Sequence, residues 1–315
     1  MGSLSSFEIS EKSSFASLAS FAVQFPGMQL KQAVDSAYQL FIENDVPSPR
    51  LNAELLLLFV LNRERAYLYA HPERELSADE QARYDEVIRD RARGCPTQYI
   101  TGHQEFWGLD LLVSPAVLIP RPETEHVVET VLELVKEYHF DGPGRLKLLD
   151  VGTGSGCIAL ALASELPHAE IHACDISDDA LEMARTNAAR LCLSGKVLFR
   201  KSDLLAVYAG EQFDFIISNP PYVGEADTDK VQKQVREFEP KIAVFSGREG
   251  MEIYRRLIPQ AHEALRPGGW FVAEIGYSEE EKVRSLLAGW RDIQVSADLQ
   301  GIPRVVAARK PQEIG

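Results

Sequence analysis

The sequence has no apolar run long enough to cross a membrane. Its longest, Leu55 to Leu61, falls far short of the roughly 20 residues that a membrane helix needs. It also has no Cys-x-x-Cys pair. Cys95, Cys157, Cys174 and Cys192 are scattered, which argues against a zinc site or a disulfide framework and suits small core residues in a reducing cytosol. The seven histidines show no metal-ligand spacing, so no metal is expected. Positive charge is scarce, with 33 Lys and Arg against 47 Asp and Glu and a formal net charge of -14. Binding driven by phosphate contacts needs a basic surface, because released counterions supply the free energy; direct nucleic-acid binding is therefore not expected. There is no internal repeat. Residues 1–28 are rich in Ser, Phe and Ala but carry Glu8 and Glu11 beside a single Lys12. That fits neither a secretory signal nor an Arg-rich presequence. The expectation is a flexible leader with one short helix around Phe15 to Phe25, on a protein that stays in the cytoplasm.

From Gln29 to Arg93 the apolar residues recur at helical spacing, as in Ala33, Ala37, Leu40 and Phe41 and again in Ala53, Leu56, Leu57 and Val60. Pro47, Pro49 and Pro72 interrupt the helices. Ser77 and Glu80 have the spacing of a capping box for a charged helix through Ile88. Residues 29–93 thus form a small helical domain. Residues 94–115 change character and predict a β-hairpin between domains, with Gly102 and Gly108 as its turns. Residues 116–315 form the third region. Strands at Leu146 to Val151, Glu170 to Asp175, Val197 to Arg200, Phe213 to Ser218 and Trp270 to Ile275 alternate with helices. Ile293 to Ala297 and Val305 to Ala308 close the region as an antiparallel pair. Such alternation builds an α/β fold with a doubly wound, mostly parallel sheet.

Asp150-Val151-Gly152-Thr153-Gly154-Ser155-Gly156 lies between the first of those strands and its helix. Glycines permit a tight turn and close approach of a ligand. The dinucleotide fingerprint needs a further glycine where Cys157 stands, so the spacing suits a nucleoside with no pyrophosphate to cradle. Asp175 ends the next strand, where an acidic residue can take both ribose hydroxyls. Asp203-Leu204 follows the third strand; Asp203 can accept from an adenine amino group or can be a solvated turn residue.

Phe213 to Ser218 runs into Asn219-Pro220-Pro221-Tyr222. In open α/β sheets ligands sit beyond the carboxyl ends of the strands, so this tetrapeptide should face the loop's ligand. Two prolines hold the backbone extended and remove two N–H donors. What remains suits a flat NH2 group: the Asn219 oxygen and the Pro220 carbonyl accept its hydrogens while Tyr222 stacks on the plane. No general base with a pKa near 7 is evident nearby.

Here the chain resembles the protein-(glutamine-N5) methyltransferases that act on peptide-chain release factors, over nearly everything from Gln29 onward. The resemblance rests on Pro96-x-Gln98-Tyr99-Ile100-x-Gly102, Phe106-Trp107-Gly108-Leu109, Leu118-Ile119-Pro120-Arg121-Pro122-Glu123-Thr124-Glu125, the glycine loop with Cys157-Ile158-Ala159, Ser218 to Tyr222, and Glu274-Ile275-Gly276. The tetrapeptide alone is shared with enzymes that methylate adenine or guanine amines, and such an amino methyltransferase is the alternative reading. The resemblance implies a Rossmann-like class I S-adenosylmethionine methyltransferase sheet behind a helical N-terminal domain and a hairpin. Its cofactor would be S-adenosyl-L-methionine and its partner a class I release factor, methylated on the glutamine of a Gly-Gly-Gln loop. It implies catalytic roles for Asn219, Pro220 and Tyr222, and cofactor contacts from Asp150, Gly152 to Gly156, Asp175, Asp203, Leu204 and Asn219. Phe106 and Pro221 would join Asn219, Pro220 and Tyr222 around the glutamine, although Phe106 can equally be a packed hairpin aromatic. Arg121 and Glu123 can shape the floor of the cofactor site, unless Glu123 and Glu125 simply cap the next helix. Glu279-Glu280-Glu281-Lys282 reads as a solvated helix start.

Overall fold

The computed structural model describes residues 27–138 and 146–312. The expected leader, apart from Gly27 and Met28, and the helix around Phe15 to Phe25 lie outside the described residues. The chain divides into two compact units, Met1–Thr101 and Gly102–Gly315.

The first unit is helical, with α1 (Leu30–Glu43), α2 (Pro49–Leu61), α3 (Arg65–Ala70), α4 (Ala78–Ala92) and α5 (Thr97–Thr101). Proline at the first position of α2 costs no helical hydrogen bond. Ser77 and Glu80 cap α4 reciprocally, and the helix continues past Ile88 to Ala92. Leu30, Ala37, Phe41, Ala53, Leu56, Leu57 and Tyr84 are almost wholly buried together. Each large apolar side chain so placed contributes about 1.5–3 kcal/mol relative to exposure. The Tyr84 hydroxyl donates to the Ala53 carbonyl at 2.9 Å, tying α4 to α2.

The second unit opens on a hairpin, β1 (His103–Phe106) and β2 (Leu109–Leu112). Trp107 and Gly108, both at positive φ (53° and 71°), make its turn, as a two-residue hairpin loop requires. The Gly108 turn is as expected, but Gly102 is no hairpin turn. Residues Thr97–Thr101 form a helix instead of a strand, and Gly102 (φ 78°) follows its end. Nor is the hairpin a free-standing linker. Phe106 and Leu111 join the core of this unit, and the Asn187 amide bonds both backbone groups of Leu112, at 2.7 and 3.0 Å.

Next come α6 (Glu125–Glu137), β3 (Lys147–Val151), α7 (Cys157–Glu165), β4 (Glu170–Asp175), α8 (Asp178–Arg190), β5 (Val197–Lys201) and β6 (Phe213–Ser218). They are followed by α9 (Lys233–Phe238), α10 (Lys241–Val244), α11 (Glu252–Ala264), β7 (Leu265–Glu274), α12 (Glu280–Leu286), β8 (Arg291–Ala297) and β9 (Pro303–Arg309). The sheet order is β5-β4-β3-β6-β7-β9-β8. The first five strands are parallel, and β9 runs antiparallel to both β7 and β8. Alternate residues of β7 reach opposite cores, Trp270 and Val272 into one, Phe271 and Ala273 into the other. Helices therefore cover both faces, as near-continuous apolar strands demand. Within the run at α12, Glu279 is 7% exposed and accepts from the Ser278 backbone and hydroxyl. That residue departs from the solvated start expected of the whole run.

Candidate active site

The strand order reverses at β3, which has β4 on one side and β6 on the other. Register then decides what meets there. Val151 lies opposite Cys174 and Ser218, and Ser218 lies opposite Ala273. Gly152, Asp175, Asn219 and Glu274 therefore emerge at one level from four neighbouring strands. Side-chain and backbone bonds lock the level: the Ser218 hydroxyl donates to the Val151 carbonyl at 2.7 Å. The Gly152 and Thr153 N–H groups both donate to the Cys174 carbonyl at 2.9 Å.

A cavity of about 270 Å³ opens over this level, close to the lower bound of small-molecule sites at about 300–1,000 Å³. Gly152, Thr153, Gly154, Ser155, Asp175, Asp203, Leu204, Asn219 and Pro220 all line it. The loop turns with Gly152 at φ 75° and Gly154 at φ 55°, conformations that side chains rarely adopt. Asp175 fixes the loop by accepting from Gly154 N–H and Ser177 N–H, each at 2.9 Å. Burial nevertheless raises its pKa, and each of its oxygens keeps a lone pair for a ligand. Asp203 pairs with Arg256 at 2.6 Å, both half exposed at the rim.

Two expected cofactor residues stand behind the cavity and do not line it. Gly156 packs α7 on α8, where a Cβ would meet Leu160 at 3.1 Å and Ala184 at 3.2 Å. Asp150 is 1% exposed and accepts from the Thr153 hydroxyl at 2.6 Å. Burial pushes its pKa up to about 7. Asp150 also accepts from the Ala159 N–H in the first turn of α7, and the Ser155 hydroxyl faces the Cys157 thiol. Ser155 lines the cavity with the loop N–H groups, where a polar ligand would meet them, and Asp150 holds Thr153 of that loop from behind. The site thus fits a nucleoside cofactor with a charged tail.

A second cavity, about 380 Å³, adjoins the first and shares Leu118, Asn219, Pro220, Pro221 and Ala243 with it. Tyr222, Arg121, Glu123 and Glu274 line only this second one. Arg121 and Glu123 are therefore not the floor of the cofactor cavity. Arg121 bonds the buried Glu239, which also accepts from Ile119 N–H at 3.2 Å; this pins the Ile-Pro-Arg-Pro segment. Glu125 accepts from Trp107 N–H at 2.8 Å and so does more than cap α6. Phe106 lines neither cavity. It is 1% exposed in the core with Val127 and Val128, because the alternation of β1 turns it inward. The packing reading is the one the structure supports.

Sequence reasoning missed a four-residue network. Asn219 Nδ2 donates to Thr124 Oγ1 at 3.0 Å, and the Thr124 hydroxyl donates to Glu274 Oε2 at 2.6 Å. The Tyr222 hydroxyl donates to Glu274 Oε1 at 3.3 Å. Burial pushes the Glu274 carboxyl up to about 7, so a group of near-neutral pKa does lie beside the tetrapeptide. A signal existed: one acid ends the otherwise apolar run Trp270 to Ala273. Ile176, an exposed apolar residue on the first cavity, was missed too.

Comparison with known proteins agrees with this architecture. A family model described as the PrmC N-terminal domain matches residues 32–102, and one described as the methyltransferase small domain matches residues 133–238. A release factor glutamine methyltransferase of Koribacter versatilis is 60% identical over 285 residues, covering 90% of this chain and 99% of that protein. Another, from Moorella thermoacetica, is 41% identical over 289 residues, covering 91% and 100%. Among solved structures, the catalytic domain of hMettl16 in complex with a MAT2A 3′UTR hairpin has a TM-score of 0.53 at 19% identity. That match covers 73% of this chain and 84% of the other, and is a likeness of fold alone. No described helix is long and apolar enough to cross a membrane. Identity of this degree over nearly the full length of both proteins shows that the chain belongs to the release factor glutamine methyltransferase family.

Proposed function

We propose that this chain methylates the side-chain amide nitrogen of the glutamine in the Gly-Gly-Gln loop of class I release factors, in the cytoplasm, with S-adenosyl-L-methionine as donor. The observation that carries this reading is the place of Asn219, one amide bordering both cavities at the end of β6. When bound, the cofactor supplies an electrophilic methyl group on a sulfonium centre. Asp175 would hold the ribose hydroxyls, Ile176 and Leu204 the adenine faces, and Asp203 the adenine amino group in competition with Arg256. Asp150 and Ser155 would meet the charged tail.

In the second cavity Asn219 Oδ1 and the Pro220 carbonyl accept the two hydrogens of the glutamine amide, while Pro221 and Tyr222 wall its plane. Held so, the nitrogen presents its lone pair, delocalised in a free amide, for in-line attack. Methylation would leave the nitrogen with one hydrogen too many, and that proton would pass to water from an N–H held by Asn219 Oδ1 or the Pro220 carbonyl. Positioning of this kind contributes up to about 7–11 kcal/mol.

A glutamine side chain offers little binding area, so selectivity for one protein must come from remote contacts. We assign that recognition to the helical residues 29–93. Mass spectrometry of release factor incubated with this protein and cofactor tests the whole reading. One methyl group on the Gly-Gly-Gln glutamine is expected. Methyl transfer to an exocyclic amine of RNA or DNA, with none to the protein, would overturn it, although the net charge of -14 speaks against that outcome.

A further inference from the structure

The Asn219 amide can sit in two orientations related by a flip, and only one of them turns Oδ1 to the substrate. Such a choice is made by hydrogen-bond partners. The partner of Nδ2 is Thr124 Oγ1, 2% exposed, placed by the turn Pro122–Thr124 that leads into α6. A hydroxyl has one hydrogen to give. An ionised carboxylate only accepts, so the hydrogen of Thr124 must go to Glu274, and its lone pairs must face Asn219.

We propose that Thr124 and Glu274 are positioning residues whose hydrogen-bond relay sets the orientation of the Asn219 amide, with the Glu274 carboxylate imposing the direction. This deepens the proposed function and rests on it only for the identity of the amide that Oδ1 accepts from. Protonating Glu274 would remove the imposition, because a carboxylic acid can donate to Thr124, which could then donate to Asn219 Oδ1. Nδ2 would be turned toward the cavity and would repel an incoming NH2 group.

The groups facing Glu274 are Thr124 and Tyr222 by hydrogen bonds, Tyr254 through its hydroxyl on the Glu274 carbonyl at 2.6 Å, and Glu123, Arg304 and Cys157 through charge. The Glu274 carboxyl is pushed up to about 7. Burial raises it, so the charged, orienting form is lost as pH falls through about 7.

Two variants and two readouts test the relay. Thr124→Val keeps the shape and removes the hydroxyl; Thr124→Ser keeps the hydroxyl. At saturating cofactor, kcat should fall roughly 10–100-fold in the valine variant, the range for loss of an orienting partner behind a functional group. Serine should restore it to within about threefold of the parent. Because Thr124 also borders the first cavity, the fold is certified by the urea midpoint, which should match the parent in both variants, and turnover is compared only at saturating cofactor. The acid limb of kcat near pH 7 should be present in the parent and absent in the valine variant. If valine and serine behave alike, or if the valine variant keeps the acid limb, the relay is wrong and Glu274 acts by another route. The second readout needs no substrate. The side-chain amide protons of Asn219, assigned by their loss in Asn219→Ser, should shift in NMR spectra as Glu274 titrates in the parent. They should not shift in Thr124→Val. Shifts that are identical in both would overturn the proposal even if the protein methylates release factor as expected.

Discussion

Asp150 and Glu274 invite comparison because they are so nearly equivalent. One lies near the end of β3 and the other ends β7, the two strands that flank β6 and its Asn219. They are 1% and 2% exposed, and burial pushes each carboxyl up to about 7. Their partners differ. Both oxygens of Glu274 accept from protein hydroxyls, whereas Asp150 accepts from the Thr153 hydroxyl of the glycine loop and the Ala159 N–H of the helix after it. Burial is the largest cause of both shifts and outweighs the hydrogen bonds that oppose it, and the partners reveal the use. Glu274 is spent on architecture that aims Asn219, and Asp150 on the turn of the loop that a ligand would meet. The linkage follows from the sign. A carboxyl raised in the folded state adds stability below the ordinary carboxylate range near 4, and loses it as pH rises through about 7. A cationic ligand at the loop would offset the loss at Asp150 and leave that at Glu274 in place.

The largest expected effect falls between the two acids. Asn219→Ala should lower kcat roughly 10²–10³-fold, as when one preorganised polar partner of a reacting group is removed. The fold should be kept, read as an unchanged urea midpoint. Near-normal turnover would show that Asn219 is not the group the Glu274 network serves. Asp175→Ala comes next. It removes the acceptor offered to the ribose, a loss of roughly 1.5–3 kcal/mol, read by calorimetry as weaker cofactor binding. An unchanged dissociation constant would place the ribose elsewhere.

The glycine loop, Asp175 and the tetrapeptide were legible because each is a local motif at the carboxyl end of a strand, and open α/β sheets gather those ends. The strands Glu170 to Asp175 and Phe213 to Ser218 were legible to the residue, since each centres on apolar residues and ends at a polar residue beside a site motif. Thr124 and Glu274 were not legible as a pair. They are far apart in sequence, and only the packing of the Pro122–Thr124 turn against the end of β7 brings them to one point. Thr97–Thr101 was misread because Tyr99, Ile100 and Thr101 favour strands, while Pro96 before them and Gly102 after them set up a single helical turn. Asp150 and Gly156 belong to the motif but work from behind, a distinction of side-chain direction that spacing does not carry.

Asp150→Asn sharpens the comparison directly. At pH 8 the wild-type carboxylate is charged and buried, so the variant should be more stable by roughly 1–3 kcal/mol. At pH 4 the wild-type group is protonated in the folded chain and close to half protonated in the unfolded one, so the gain should largely vanish. Urea midpoints without cofactor at the two pH values check this, and equal differences at both would remove the burial argument. Cofactor binding should weaken in the same variant, since an amide cannot pair with a cation as a carboxylate does. Removing the helical unit should act on a different quantity. A chain starting at Gly102 should still bind cofactor, provided that its new surface does not aggregate. It should methylate full-length release factor roughly tenfold less efficiently, by analogy with substrates stripped of remote contacts, and a short Gly-Gly-Gln peptide far less affected. Equal losses on both would make that unit structural.

Phe106→Leu carries the smallest expected effect and decides on which side of the wall Phe106 stands. The ring packs with Val127, Val128 and Leu111 under the hairpin and borders neither cavity. Leucine fills most of that space, so stability should fall by about 1–1.5 kcal/mol, well below the 3–5 kcal/mol of truncating a buried Phe to Ala. If the ring only packs, KM for a Gly-Gly-Gln peptide and kcat should both match the parent well below the melting temperature. If the ring instead walls the glutamine pocket, KM should rise several-fold while the urea midpoint barely moves. Measuring both in one variant separates the two, because a core residue and a pocket residue cannot give the same pair of results.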